Sequence, residues 1–436
     1  MPSTDKPLSG DYLKVSLLKD NDVEKEDFQE KVRSDSVYSQ VAPSNSAALT
    51  TFLLLNTMIG SGILNQPFVF KESGVVGGII GFIIASIMTW LGLLILNEAG
   101  VKAGVFEYSG LAFATYGKNG EMAIDYTIII NGFGSHLGYV LVVGDTLSSL
   151  LRSWGCDSFM CSEVSVIIWS VLAFVSPVCL FRHFGHFAWL SVFSITAILA
   201  VMFLVIIAGP IKQHEGEIKI FDGIGTLKSL GSIIFSLMCA QANFQAYTTT
   251  EPKSQNPISW MKITGVAILV GSLMCAGMGI SGYLAFRDDT EGEILDNFVE
   301  PGFDFFKVMV AVHLILYIPV NFVVTRYSLC KVVYAKKAES LPWKQHVFVT
   351  FSLLAFQTGF VIFLLGIGLS SGEAFSLILN ITGAIGGAVA TFGFPALMYI
   401  KSHNNSDYLY NTSYFILVVG MLLTAGIFVA IIIDQL

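Results

Sequence analysis

The chain has 436 residues, of which 54% are hydrophobic and 13% charged. Soluble globular proteins carry about 25% charged residues, so a soluble class is excluded, and the mean hydropathy of +0.69 fits a polytopic membrane protein with room for about ten to twelve spans of ~20 residues. The formal charge of −8 does not point to nucleic acid, because the acidic residues gather in the N-terminal tail and in one loop.

In chain order, residues 1–45 are polar and charged and lack the apolar core of a cleavable signal peptide. They read as a mostly disordered cytosolic tail that could meet cytosolic partners. Residues 46–436 read as the transmembrane domain. Its first stretch, Leu53–Gly74, begins as an apolar run and is interrupted by Gly60-Ser61-Gly62 and then Pro67. Each glycine inside a helix costs about 1 kcal/mol relative to alanine. Two readings follow. Either the helix breaks here, which membranes tolerate where backbone lines a cavity, or the glycines let two helices pack closely. A break leaves N–H groups and a positive dipole end suited to a carboxylate, and carbonyls suited to a small cation.

Eleven apolar segments are predicted, near 47–70, 74–97, 122–150, 164–181, 187–210, 227–248, 260–286, 304–333, 346–370, 373–400 and 411–433. With the N-terminus inside, the cytosolic side takes 17 Lys and Arg, six of them in the tail, against 7 on the other; this bias favours that orientation. Arg182, Lys336 and Lys337 belong to the first group and Lys212 to the second. The acidic loop 287–304 then faces outward and reads as a solvated loop. Cys156 and Cys161 share one outward loop and are a disulfide candidate. No Cys or His spacing suggests a metal site.

The string Asn56-Thr57-Met58-Ile59-Gly60-Ser61-Gly62-Ile63-Leu64, with Pro67 and Gly74 after it, resembles the first transmembrane helix of the amino acid/auxin permease family, and within it the sodium-coupled neutral amino acid transporter branch. Further likeness is spread along the chain: Gly134 to Tyr139 with Asp145 and Leu147, Cys239 with Tyr247, Gly282-Tyr283-Leu284-Ala285-Phe286 with Ile294 to Asn297, and Asn380–Lys401. The resemblance implies an all-α polytopic membrane protein of about 11 transmembrane helices. It implies a LeuT-like 5+5 inverted repeat, about 47–210 and 227–400, plus one extra helix at about 411–433. Two departures stand out. Ala240-Gln241 replaces the His-Pro that family members often carry after the sixth-span Cys. The stretch His313–Pro319 lacks the Thr that helps hold sodium in the sodium-coupled branch.

The sixth span, Leu227–Tyr247, should mirror the first, yet it has no Gly or Pro at its centre, so its own residues make a weaker case for a second break. The expected substrate site comprises Gly60, Ser61, Gly62, Ile63 and Leu64 for a carboxylate. Phe235 is expected at its flank, Cys239 by resemblance, and Gln241 and Asn243 as either substrate or structural hydrogen-bond groups. Candidate ion-coupling residues are Asn56, Ile59, Tyr317 and His136. His136 is mid-span and either a satisfied core residue or a proton carrier. No cofactor is expected beyond Na+ or H+ as coupling ion. The reading is a multi-pass secondary active transporter of neutral or polar L-amino acids in a plasma or endolysosomal/vacuolar membrane, with its substrate and the lipid bilayer as partners. The rivals are a proton-coupled or facilitative exporter and an amino-acid-sensing receptor. No nucleophile–base pair suggests an enzyme.

Overall fold

The computed structural model describes residues 45–181, 188–209, 216–335, 338–402 and 408–434. The tail before Asn45, with its six cations, lies outside the described residues, as do Arg182, Lys212, Lys336, Lys337, Gln435 and Leu436. Among the described residues, every predicted apolar segment falls mainly on helix. Helix α1 is Ala47–Met58, α2 Gln66–Ala103, α3 Tyr108–Ser153, α4 Glu163–Cys179 and α5 Ala188–Ala208. Then come α6 Gly223–Ser236, α7 Asn243–Thr249, α8 Pro257–Phe286 and α9 Asp304–Tyr334. The chain ends with α10 Trp343–Gly366, α11 Ser371–Ser402 and α12 Tyr408–Asp434.

Local chemistry sets the helix ends. Ser46 caps α1 by accepting from the Leu49 amide at 3.3 Å, and Asp222 caps α6 by accepting from the Gly225 amide at 2.9 Å. Both satisfy amides that a helix start leaves orphaned. The predicted boundary between the first two segments is Gly74, whose φ of 74° suits a residue without a Cβ. The freed amides around this kink find partners in an extended strip. Val75 and Val76 donate to the carbonyls of Lys219 and Ile220, and the Asp222 amide donates to the Ser73 carbonyl. Gly117, φ 64°, likewise separates a short entry helix from the long span of α3, so this element starts earlier than the predicted 122.

The helices sort into two groups by packing. In one, α2 packs against α6 and α8, and α8 against α1; in the other, α3 packs against α9, α4 and α10. Helix α11 touches both groups, through α6 and α3. Arg326, which looks like a cytosolic anchor in sequence, is instead fully buried. Its guanidinium donates to the carbonyls of Cys179 and Phe181 and to Thr350 Oγ1. It thereby ties α9 to α4 and α10.

The loop between α8 and α9 corrects the solvated-loop expectation. Its ends are exposed, but Glu293, Ile294, Leu295 and Phe298 are buried, and the Phe298 ring packs 5.2 Å from Phe286 and 5.0 Å from Phe303. The acidic residues advertise a wet surface, while the apolar ones between them fold inward as a plug.

Candidate functional site

The first predicted break is present. Helix α1 stops at Met58; Ile59 has ψ 82° and Gly60 is extended at φ −113°, ψ −153°. A tight 3₁₀ turn, Ser61–Asn65, leads into α2, with Pro67 in its first turn, where a missing amide costs nothing. Gly60, Ser61, Gly62, Ile63 and Leu64 are all buried. The amides of this turn and the positive end of α2 face the carboxyl end of α1 across the break, the arrangement that binds an anion on one side and a cation on the other.

A second break faces it, which the residues alone argued only weakly. Helix α6 ends at Ser236, and Leu237 has already left helical geometry at φ −102°, ψ 3°. A short 3₁₀ turn, Ala240–Ala242, then starts α7 at Asn243. With no glycine or proline here, tertiary contacts hold the break. A Cβ on Gly62 would lie 2.4 Å from Ser236 Oγ and 3.1 Å from Phe235 Cδ1. The glycine is needed because α6 itself presses against the turn.

Two residues that carried no motif signal organise this contact. Gln66 Nε2 donates to the Gly62 carbonyl at 2.7 Å and to Ser236 Oγ at 2.8 Å. Asn65 Nδ2 donates to the Gly292 carbonyl of the plug at 2.7 Å, and its Oδ1 accepts from Ser232 Oγ at 2.8 Å. The Ser232 amide in turn donates to Asn380 Oδ1 at 2.8 Å, which brings in α11. Both side chains are fully buried. The available signal was two amides inside an apolar run, beside Pro67.

Around the breaks sit polar atoms with no hydrogen-bond partner in the protein: Asn56 Oδ1, Ser61 Oγ, Gln66 Oε1, Gln241 Nε2 and both amide atoms of Asn243. Each buried polar atom left so costs about 1–3 kcal/mol, and native proteins keep few of them without a reason. A polar ligand would satisfy them. Cys239, also buried, lies in the second break.

The ion-coupling candidates divide. Asn56 and Ile59 are at the end of α1. Tyr317 is on α9, its ring 5.5 Å from His313 and 5.7 Å from Tyr139; the Tyr139 hydroxyl is 3.5 Å from where a Gly60 Cβ would stand. His136 is one turn before Tyr139 on α3 and lies between α3 and α9. It is fully buried, with its Nε2 3.1 Å from the Ile318 carbonyl and its ring 5.2 Å from Phe322. A carbonyl only accepts, so Nε2 carries the hydrogen. Cys156 and Cys161 are joined in a disulfide, Cα–Cα 6.2 Å, which marks one face of the molecule. Among the described residues, no group of His, Cys, Asp and Glu is arranged to hold a metal.

Two facing helix breaks inside a helical membrane protein, flanked by a packed second group of helices, define a transporter of the LeuT-like fold. The solved structure of MHP1, a nucleobase-cation-symport-1 family transporter in a closed conformation, aligns with 91% of this chain and 94% of its own at a TM-score of 0.57. At 13% identity that likeness concerns the fold alone. The chain belongs to the transmembrane amino acid transporter protein family, whose model matches residues 43–433. Its relatives include Vacuolar amino acid transporter 2 of Saccharomyces cerevisiae, 29% identical over 265 residues. That match takes in 58% of this chain and 54% of the yeast protein, so the chain aligns with about half of that relative's length. Putative sodium-coupled neutral amino acid transporter 11 of Danio rerio is 22% identical over 398 residues, 89% of this chain and 85% of its own. The family's members are transporters, and the chain is not an enzyme.

Proposed function

We propose that this chain moves neutral or polar L-amino acids by alternating access, with the amino acid held between the two breaks. One observation carries the proposal: the unpartnered polar atoms at the two breaks all belong to uncharged side chains. Asn56, Ser61, Gln241 and Asn243 offer amides and a hydroxyl. Such groups suit a zwitterion with an uncharged side chain. The amides of Ser61–Leu64 and the start of α2 receive the carboxylate, and the carboxyl ends of α1 and α6 receive the ammonium. Rocking of the α1–α2–α6–α8 group against the α3–α4–α9–α10 group opens each side in turn.

The coupling ion in this proposal is H+ rather than Na+. Sodium takes oxygen ligands, and α9 offers His313, Tyr317 and Pro319 where the sodium-coupled branch is expected to offer a Thr. The N-terminus is cytosolic in the orientation that the loop cations favour, and the disulfide face is then outside or lumenal. The test is uptake by the purified full chain in liposomes, with a panel of labelled amino acids and separately imposed sodium and proton gradients. Uptake of neutral amino acids driven by a pH gradient supports the proposal. Saturable binding without turnover overturns it in favour of a receptor.

A further inference from the structure

We propose that the loop between α8 and α9 is a proton-latched plug over the disulfide-face entrance to the site: one proton shared by Asp145 and Asp296, with Glu293 neutral beside them, holds the loop down, and losing these protons lets it lift. The proposal rests on the transport reading only for what passes beneath the plug.

The plug is built to be held. Its Gly292 carbonyl accepts from Asn65, the last residue of the first break. Gly292 also presses on the backbone of Gly372 at the start of α11, where an added Cβ would stand 2.0 Å from the Gly372 oxygen. The Thr290 carbonyl accepts from Lys71 Nζ of α2 at 3.0 Å. The loop therefore touches the first break, α2 and α11, and through Asp296 it also meets Asp145 of α3 in the second group. Lifting the loop must break the Asn65–Gly292 contact beside the first break.

Its electrostatics oppose staying there fully ionised. Asp296 makes hydrogen-bonding contact with Asp145 of α3, which two ionised carboxylates cannot do without a shared proton. Glu293, 1% exposed, accepts from the Leu295 amide through Oε1 at 3.1 Å; its Oε2 has no partner at all. The facing charges are few. Lys307 of α9, buried and donating to Ser149 Oγ at 3.2 Å, is the cation of the cluster. Glu163 of α4 adds a further carboxyl, which accepts from Ser371 Oγ at 2.6 Å and faces Arg152. Glu291 of the loop acts on Asp296. Asp145, Asp296 and Glu293 thus share Lys307 as their nearest cation, with Glu163 and Glu291 adding negative charge around them.

The direction of the pH effect follows. Burial pushes Glu293 up to about 8, with the Asp145 charge adding to it. Burial also pushes Asp296 up to about 8, with the Glu293 charge adding. Once lifted into water, both return toward the ordinary carboxylate range near 4. The closed plug therefore binds more protons than the open one. Acid on this face favours closure, and the closed state is lost as pH rises through about 8. Above that value the closed-to-open ratio falls about tenfold per pH unit for each proton released.

The test places spin labels at Val299 and Ile367, 73% and 59% exposed, in the full chain reconstituted in liposomes, and reads their distance between pH 5 and 9. A single distance at low pH, giving way to a longer one with a midpoint near pH 8, is expected. In Asp145→Asn/Asp296→Asn the pH dependence should become shallower, carried by Glu293 alone, and Glu293→Gln should move the midpoint upward. If the double variant fails to elute as a folded protein, Asp296→Asn alone is read the same way. An unchanged distance in the unmodified chain from pH 5 to 9, or a shift of undiminished steepness in the Asn variants, overturns the proposal. Because the readout needs no turnover, a protein that moves no amino acid but still shows the pH-dependent distance refutes the transport reading and leaves the latch standing.

Discussion

Gln66 and Ser236, 170 residues apart, meet at 2.8 Å, the Gln66 amide donating to Ser236 Oγ and to the Gly62 carbonyl at once. One side chain thus spans the two breaks. It fixes the carbonyl of the first to the end of the helix that precedes the second, so a rocking motion must carry both together.

Gln66→Leu should therefore loosen the site rather than the fold. It removes two donated bonds and leaves the Gly62 carbonyl buried, at a cost of about 1–3 kcal/mol. If that cost falls on the substrate-bound state, the apparent substrate affinity weakens by about five- to 150-fold. Uptake kinetics and a thermal unfolding scan, measured together, check it. A fall in thermal stability with unchanged kinetics would assign Gln66 to packing alone.

Gly62→Val should abolish uptake, but for a reason the sequence did not contain. The obstacle is Ser236 Oγ at 2.4 Å from the new Cβ, not the substrate. The milder Gly62→Ala should also fail, and Gly62→Ala/Ser236→Ala should recover part of the rate. The recovery stays partial because Phe235 Cδ1, at 3.1 Å, remains. Failure of the double variant to exceed Gly62→Ala would return the steric requirement to the substrate.

His136→Gln should leave the pH dependence of uptake in place. The imidazole is wedged between α3 and α9 without an ion pair, its Nε2 bonded to the Ile318 backbone carbonyl; a charge there would be buried with no opposite charge beside it. Flattening of the pH profile in this variant would make His136 the proton carrier. Separately, steep saturable sodium dependence at fixed pH would overturn proton coupling and direct attention to Asn56 and the backbone carbonyls of Leu314–Pro319.

The Cys156–Cys161 bridge closes a short loop at the end of α3. Peptide mapping under non-reducing conditions should recover the linked pair. Cys161→Ser should lower stability by about 2 kcal/mol, the chain-entropy value for so short a loop. Recovery of both residues alkylated would show that the thiols are free.

What this sequence determined by itself was the local part. Apolar runs place the helices because hydrocarbon demands them wherever they stand. Gly60-Ser61-Gly62 with Pro67 marks the first break because glycine and proline change the dihedral preferences of their own residues. The second break carries no such mark. It exists because α6 is held at Ser232 by Asn65 and Asn380 and at Ser236 by Gln66, partners at least 148 residues away. The acidic loop read as wet surface for the same reason. Its charge pattern is local, whereas its fate depends on Asp145 of α3, far earlier in the chain, as well as on the neighbouring Lys307. Periodicity and composition report how a segment meets solvent or lipid; which buried polar groups meet each other is a long-range pairing, and only the tertiary structure decides it.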